Sequence, residues 1–164
     1  MKTQTLWILL FISVFTYSQN TLPELLKKYN TESIPYISVE KLAHTKDSFI
    51  ILDARELKEF KVSHLEGAVH VGYDAFNLKS TQKHLPHKNS KILIYCSLGV
   101  RSEAIGEKLK AAGYLNIFNL YGGIFEWKNN GFNIVDSTNK KTENVHVFSE
   151  KWGKWLNKGT KIYD

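Results

Sequence analysis

Past its first twenty residues this chain has two stretches that are apolar at every position: Phe49-Ile50-Ile51-Leu52 and Ile92-Leu93-Ile94-Tyr95. A strand with one wet face alternates apolar and polar residues. A run with no polar face fits a strand buried on both sides, as in a parallel sheet covered by helices. Residues 68–71 and 116–120 are further strand candidates, and Tyr36-Ile37-Ser38 is a short one. Helical patterns lie between and around them. Residues 22–29 form a short amphipathic helix. Ser38 caps a helix over 39–44, with Glu40 and Lys41 in its first turn. Residues 56–62 follow the second strand, and a helix starts over 74–78. Residues 102–112 place Ile105, Leu109 and Ala112 on one face, stopped by Gly113. A last helix over 124–129 ends at Gly131. Strands alternating with helices define an α/β fold class with a parallel sheet. The 164 residues suit one domain with a core of its own.

In such sheets, ligands bind beyond the carboxyl ends of the strands. The run 91–95 ends at Cys96, and Tyr95-Cys96-Ser97-Leu98-Gly99-Val100-Arg101-Ser102 then turns from strand to helix. A loop of this kind can aim backbone N–H groups at one point, and the helix start adds partial positive charge. A thiol there is drawn toward the thiolate. Gly99 allows a positive φ, Arg101 offers a cationic fork, and Ser102 suits the helix N-cap. The competing reading is an inert, buried cysteine at a strand end. Cys96 is the only cysteine, so an intramolecular disulfide is excluded.

The loop resembles the C-x-x-G-x-R-S active-site form of the rhodanese family. Three other elements occur in that family's order. Asp53-Ala54-Arg55-Glu56 with Glu59-Phe60 resembles its D-x-R-x-x-x-E-(F/Y) segment. Ser63-His64-Leu65-Glu66-Gly67-Ala68 resembles the G-H-I-x-G-A box, with Ser63 and Leu65 as departures. Leu120-Tyr121-Gly122-Gly123 with Trp127 resembles the closing L-x-G-G-x-x-x-W motif. Together they cover roughly residues 36–132.

The resemblance implies a three-layer α/β/α fold around a five-stranded parallel sheet. It implies a sulfurtransferase in which Cys96 attacks the outer sulfur of a donor such as thiosulfate. A Cys96 persulfide then passes its sulfur to a thiol or to cyanide. The backbone N–H groups of Ser97, Leu98, Gly99, Val100 and Arg101 would hold the donor and the persulfide, and Arg101 would orient the donor. The six residues from Cys96 to Arg101 match the sulfurtransferase loop. Relatives that bind phosphate or arsenate have one residue more, which counts against a phosphatase or an arsenate reductase. A binding module that carries sulfur, or docks a partner, without turnover is the main competing function.

Asp53 and Arg55 fit a supporting role, pairing with nearby backbone or with Glu56 or Glu59. His64 and His70 fit fold support. His84-Leu85-Pro86-His87 lacks the Cys or carboxylate partners of a metal site, and no cofactor is expected. The formal charge of +6 is scattered, with no basic cluster interleaved with aromatics, so nucleic acid is not an expected partner. A mild attraction for small anions is the most that this charge implies, and a monomer is expected.

The first residues follow the layout of a secretory signal peptide: Lys2, a nearly unbroken apolar run from Leu6 to Phe15, then Thr16-Tyr17-Ser18. Spanning a bilayer takes about 20 residues. Cleavage near Ser18 and export to the periplasm or medium are expected, against a retained anchor or a buried helix. The division that follows is 1–18 signal peptide, 19–35 mature N-terminal segment, 36–135 rhodanese-like domain and 136–164 extension. Residues 136–143 read as a polar loop. Residues 145–163 are expected to form a helix whose Trp152 and Trp155 cover the domain, with a partner-docking surface as the alternative.

Overall fold

The computed structural model describes residues 21–164. The expected signal peptide and its cleavage near Ser18 lie outside the described residues.

A five-stranded, all-parallel sheet forms the centre. Its strands are β1 (Tyr36–Ile37), β2 (Ile50–Asp53), β3 (Val69–His70), β4 (Lys91–Tyr95) and β5 (Asn116–Leu120), in the order β1-β5-β4-β2-β3. The helices are α1 (Leu22–Tyr29), α2 (Val39–Thr45), α3 (Leu57–Val62), α4 (Leu78–Gln82), α5 (Val100–Ala111) and α6 (Gly123–Asn129). Successive side chains of β4 point to opposite faces. Ile92 and Ile94 join Ile105 and Leu109 of α5, while Leu93 and Tyr95 join Val39, Leu42 and Phe125 of α2 and α6. Burial on both faces is what the apolar runs require. The result is the three-layer α/β/α arrangement.

Register sets the site. Asp53 is level with Tyr95, so β2 and β4 end together, and Cys96 emerges at this carboxyl edge. The Gly122-Gly123 pair starts α6 against the same edge. A Cβ on Gly123 would lie 2.3 Å from the Cys96 carbonyl oxygen. Gly123, at φ 56°, therefore lets α6 meet the loop, and the Ile124 N–H donates to that oxygen at 2.9 Å.

The chain after Gly131 differs from the expected loop and single helix. Strands β6 (Ile134–Val135) and β7 (Lys141–Thr142) pair antiparallel. Then β8 (Asn144–His146) and β9 (Thr160–Ile162) pair in parallel, joined by a crossover that holds α7 (Glu150–Gly153). The physical reason is local. Val145-His146-Val147 alternates with period two, and its two valines are buried in the main core. Gly159, at φ 99°, blocks a helix through the second half. Trp152 and Trp155 still pack, partly buried, against the core. Two side-chain contacts tie the end of the chain down. Asp164 pairs with Lys58 of α3, and His146 Nε2 stands 3.0 Å from Asp164 Oδ1.

Candidate active site

The loop after β4 brings the expected residues together, with one shift of boundary. Helix α5 begins at Val100, and Gly99, at φ 113°, is its N-cap. Ser102 is thus not the cap but the third helical residue. Its N–H belongs to the first turn, where no intrahelical partner exists. Cys96 Sγ lies against this turn. The Gly99 N–H donates to it at 3.1 Å, and Ser102 Oγ stands 3.5 Å away. Burial opposes ionisation of the thiol. The Arg101 charge and the hydrogen bonds from Ser102 and Gly99 outweigh it and hold the Cys96 pKa below the ordinary value.

The loop carbonyls are taken up on the side of the fold. Cys96 and Ser97 accept from the N–H groups of Ile124 and Phe125 at 2.9 and 3.2 Å. The Gly99 carbonyl accepts from Asn119 Nδ2 at 2.7 Å and Asn30 Nδ2 at 2.9 Å. Asn119 Oδ1 in turn accepts from Ser102 Oγ at 2.7 Å. Neither asparagine was singled out in the sequence. The one signal is a fully buried polar residue inside the apolar strand Asn116-Ile117-Phe118-Asn119-Leu120.

Arg101 is not an open fork. Its Nη1 and Nη2 donate to Glu59 at 2.7 and 2.8 Å, and Nη2 also reaches Ser97 Oγ at 3.0 Å. Glu59 is buried and also accepts the Glu56 N–H at 2.9 Å. Burial favours its neutral form, yet the bonds and charge of Arg101, with Arg55 behind it, keep its carboxyl below the ordinary value.

Asp53 and Arg55 pair with each other, not with Glu56 or Glu59. Arg55 Nε and Nη2 reach the two Asp53 oxygens at 2.6–3.2 Å, and Nη2 also donates to the Ser63 carbonyl at 2.6 Å. Asp53 Oδ2 accepts from the Tyr95 hydroxyl at 2.5 Å, and that hydroxyl accepts the Leu65 N–H at 3.1 Å. Burial, then Asp53, pushes the Tyr95 phenol well above its ordinary value, so it stays a neutral donor. The network lies under the loop and joins the ends of β2 and β4. His64 Nδ1 and His70 Nε2 stand 3.1 and 2.9 Å from the backbone carbonyls of Phe60 and Arg55, and each serves the fold. Among the described residues no group of His, Cys, Asp or Glu is arranged to hold a metal ion.

Above Cys96 opens a pocket of about 230 Å³. Ser97, Leu98, Val100 and Arg101 line its floor. Its other walls come from outside the loop: Tyr29 at the end of α1, and Phe148 and Trp152 after β8. The sequence pointed to Trp152 only as a packing or partner-docking residue, and to Tyr29 and Phe148 not at all.

Residues 38–130 match the family model described as the rhodanese-like domain. A Bacillus subtilis protein named as a sulfur carrier, YrkF, is 32% identical over 101 residues, 60% of this chain and 53% of that one. A tRNA uridine(34) hydroxylase of Enterobacter sp. (strain 638) is 31% identical over 81 residues, 48% of this chain and 23% of its own. This chain therefore spans about half the length of the first relative and about a quarter of the second. Among solved structures, a rhodanese-related protein of Thermoplasma volcanium aligns with TM-score 0.54 and 28% identity, over 62% of this chain and 97% of that one. A thiosulfate sulfurtransferase of Pseudomonas aeruginosa aligns with TM-score 0.56 over 75% of this chain and 23% of its own. At 20% identity that second likeness concerns the fold alone.

Proposed function

Since the chain belongs to the rhodanese-like domain family, we propose that it moves sulfane sulfur through a persulfide on Cys96. The observation that carries this reading is the setting of the Cys96 sulfur. It lies at the first turn of α5, accepts the Gly99 N–H, and has its pKa lowered although it is buried. A thiolate of this kind needs no separate base. With thiosulfate, the thiolate attacks the outer sulfur, the sulfur–sulfur bond of the donor breaks, and sulfite leaves with the bonding pair. Cys96 then carries one extra sulfur as an anion one atom further into the pocket. A thiolate or cyanide attacks that outer sulfur, and the Cys96 thiolate leaves. Backbone N–H groups at the helix start stabilise the negative charge at both stages.

Two observations favour a second reading, a sulfur carrier loaded and emptied by partners without fast thiosulfate turnover. One is the likeness to the protein named as a sulfur carrier. The other is Glu59, which neutralises Arg101 beside the sulfur. Mass spectrometry of the protein treated with thiosulfate, next to Cys96→Ser, tests the shared step. An adduct of one sulfur that needs Cys96 is expected, and its absence with every sulfane donor would overturn both readings. Steady-state thiocyanate formation then separates them: rapid turnover identifies the enzyme, and loading without turnover the carrier.

We further propose export. The support is the run Leu6-Trp7-Ile8-Leu9-Leu10-Phe11-Ile12-Ser13-Val14-Phe15 after Lys2. The intact mass of the secreted protein is expected to correspond to a start near Gln19, and a mass retaining Met1 would overturn this.

A further inference from the structure

Three of the eight residues that line the pocket over Cys96, namely Tyr29, Phe148 and Trp152, lie outside the matched residues 38–130, and they make its chemistry unlike that of a site for a small dianion. Tyr29 and Trp152 meet at a ring-centroid distance of 6.4 Å, and Phe148 faces the same space. Apart from Cys96, the only charged residue among the described residues lining it is Arg101, whose guanidinium is already paired with Glu59. The nearest lysines, Lys28, Lys58 and Lys151, lie over the Tyr29, Phe148 and Trp152 rings and are not among the residues that line the pocket, so an incoming dianion would lose water mainly to aromatic walls. At roughly 30 Å³ per water molecule in the liquid, a pocket of about 230 Å³ admits several heavy atoms beyond one sulfur.

Phe148 is also held in place. Its backbone sits at φ 65°, a left-handed conformation that a bulky residue rarely adopts. Its N–H donates to His146 Nδ1 at 3.1 Å, while Nε2 of that ring faces Asp164 Oδ1 at 3.0 Å. The residue remains 51% exposed, so this conformation is not explained by core packing. An unusual backbone that turns an exposed ring toward a nucleophile fits a binding role.

We propose that this pocket receives an organic thiol, or the corresponding organic persulfide, with an apolar and preferably aromatic body. Tyr29, Phe148 and Trp152 set that preference. The inference rests on the reading of Cys96 as a sulfur carrier and names the class of its small-molecule partner. In the discharge direction the partner thiolate attacks the outer sulfur of the Cys96 persulfide. A sulfur–sulfur bond forms on the partner, the bond to Cys96 breaks, and Cys96 leaves as the thiolate. No oxidant or reductant is consumed. Loading is the same exchange in reverse.

The test uses the full mature chain, loaded with inorganic polysulfide and checked by mass spectrometry for one added sulfur on Cys96. Discharge is then followed with phenylmethanethiol and with 2-mercaptoethanol at equal thiolate concentrations. Each rate is divided by the rate of that thiol with a small persulfide free in solution, which removes intrinsic nucleophilicity. A preference of about tenfold for phenylmethanethiol is expected, at the low end of what an apolar pocket yields for a few extra carbons. Phe148→Ala and Tyr29→Ala should each reduce the preference several-fold. Both residues are half exposed, at 51% and 50%, so neither truncation removes core packing. Equal corrected rates on a loaded protein would overturn the pocket assignment while leaving the persulfide intact. So would a preference unaltered in both variants. A Cys96 that never loads would overturn the sulfur reading itself, and this inference with it.

Discussion

Arg55 and Arg101 each meet a carboxylate, but at different depths and with different consequences. Arg55 and Asp53 are both fully buried and lie beneath the loop, where they brace Tyr95 and the Ser63 carbonyl. Glu59 is equally buried, yet its partner Arg101 keeps 22% of its side chain exposed and stands beside the sulfur. The deep pair acts on the shape of the sheet edge. The shallow pair acts on the charge of the thiol. Arg55→Met should therefore give the largest effect on stability. It leaves Asp53 buried with no cation, a change that costs about 3–5 kcal/mol. Urea unfolding with an unchanged m-value measures it. The pH dependence of Cys96 alkylation in the folded protein should stay near that of the native chain. A small stability loss with a displaced alkylation profile would erase the distinction between the pairs.

Arg101→Gln should show the opposite balance. Removing the positive charge disfavours the thiolate, so the alkylation midpoint of Cys96 should move up from its lowered value. At neutral pH, sulfur uptake should fall by about tenfold or more, as when a preorganised charge is removed from a reacting site. Stability should fall less than for Arg55→Met, by about 1–3 kcal/mol, because the Arg55 charge still stands behind Glu59 and the partly exposed position of Arg101 admits water. An unmoved midpoint would mean that Arg101 does not tune the sulfur.

Glu59→Gln sharpens the same comparison by sign. It removes the negative charge that compensates Arg101, so the Cys96 midpoint should move further down, opposite to Arg101→Gln. A shift upward would show that Glu59 acts by placing Arg101 and not by its charge. Acid unfolding gives a second measure. The Glu59 pKa is depressed from 4.5 in the folded state. Its ionisation therefore stabilises the fold above that ordinary value, and the contribution disappears as the pH falls through the folded-state value. The variant should lack this part of the native acid transition.

How much of this was legible depended on distance along the chain. Cys96, Gly99 and Arg101 fall within six residues, and the apolar strand before them names their place at the sheet edge. Asp53 and Arg55 are two residues apart, and their pairing is local. Glu59 lies 42 positions from Arg101, and only the parallel alignment of β2 with β4 brings them together. No spacing rule encodes that approach, so Arg101 reads as open to an anion when it is paired. The tail was harder for a different reason. The spacing of Trp152 and Trp155 fits one helix face, while the alternation at Val145-His146-Val147 and the left-handed Gly159 favour strands and a turn. Tertiary burial of the two valines decides between these local signals.

Ser102→Ala tests the finest point of the comparison, whether a neutral donor can do part of the work of Arg101. Ser102 Oγ is 3.5 Å from Cys96 Sγ but 2.7 Å from Asn119 Oδ1, and one hydroxyl carries one proton. At these distances the proton belongs to Asn119, whose Nδ2 holds the Gly99 carbonyl. The hydroxyl then serves the loop more than the sulfur, and the backbone N–H groups of Gly99 and Ser102 do the direct stabilising. Truncation should cost about 1–3 kcal/mol, because it leaves the buried Asn119 Oδ1 without its donor. The alkylation midpoint of Cys96 should rise by much less than in Arg101→Gln. A rise as large as that of Arg101→Gln would place the hydroxyl proton on the sulfur side and make Ser102 an equal partner in forming the thiolate.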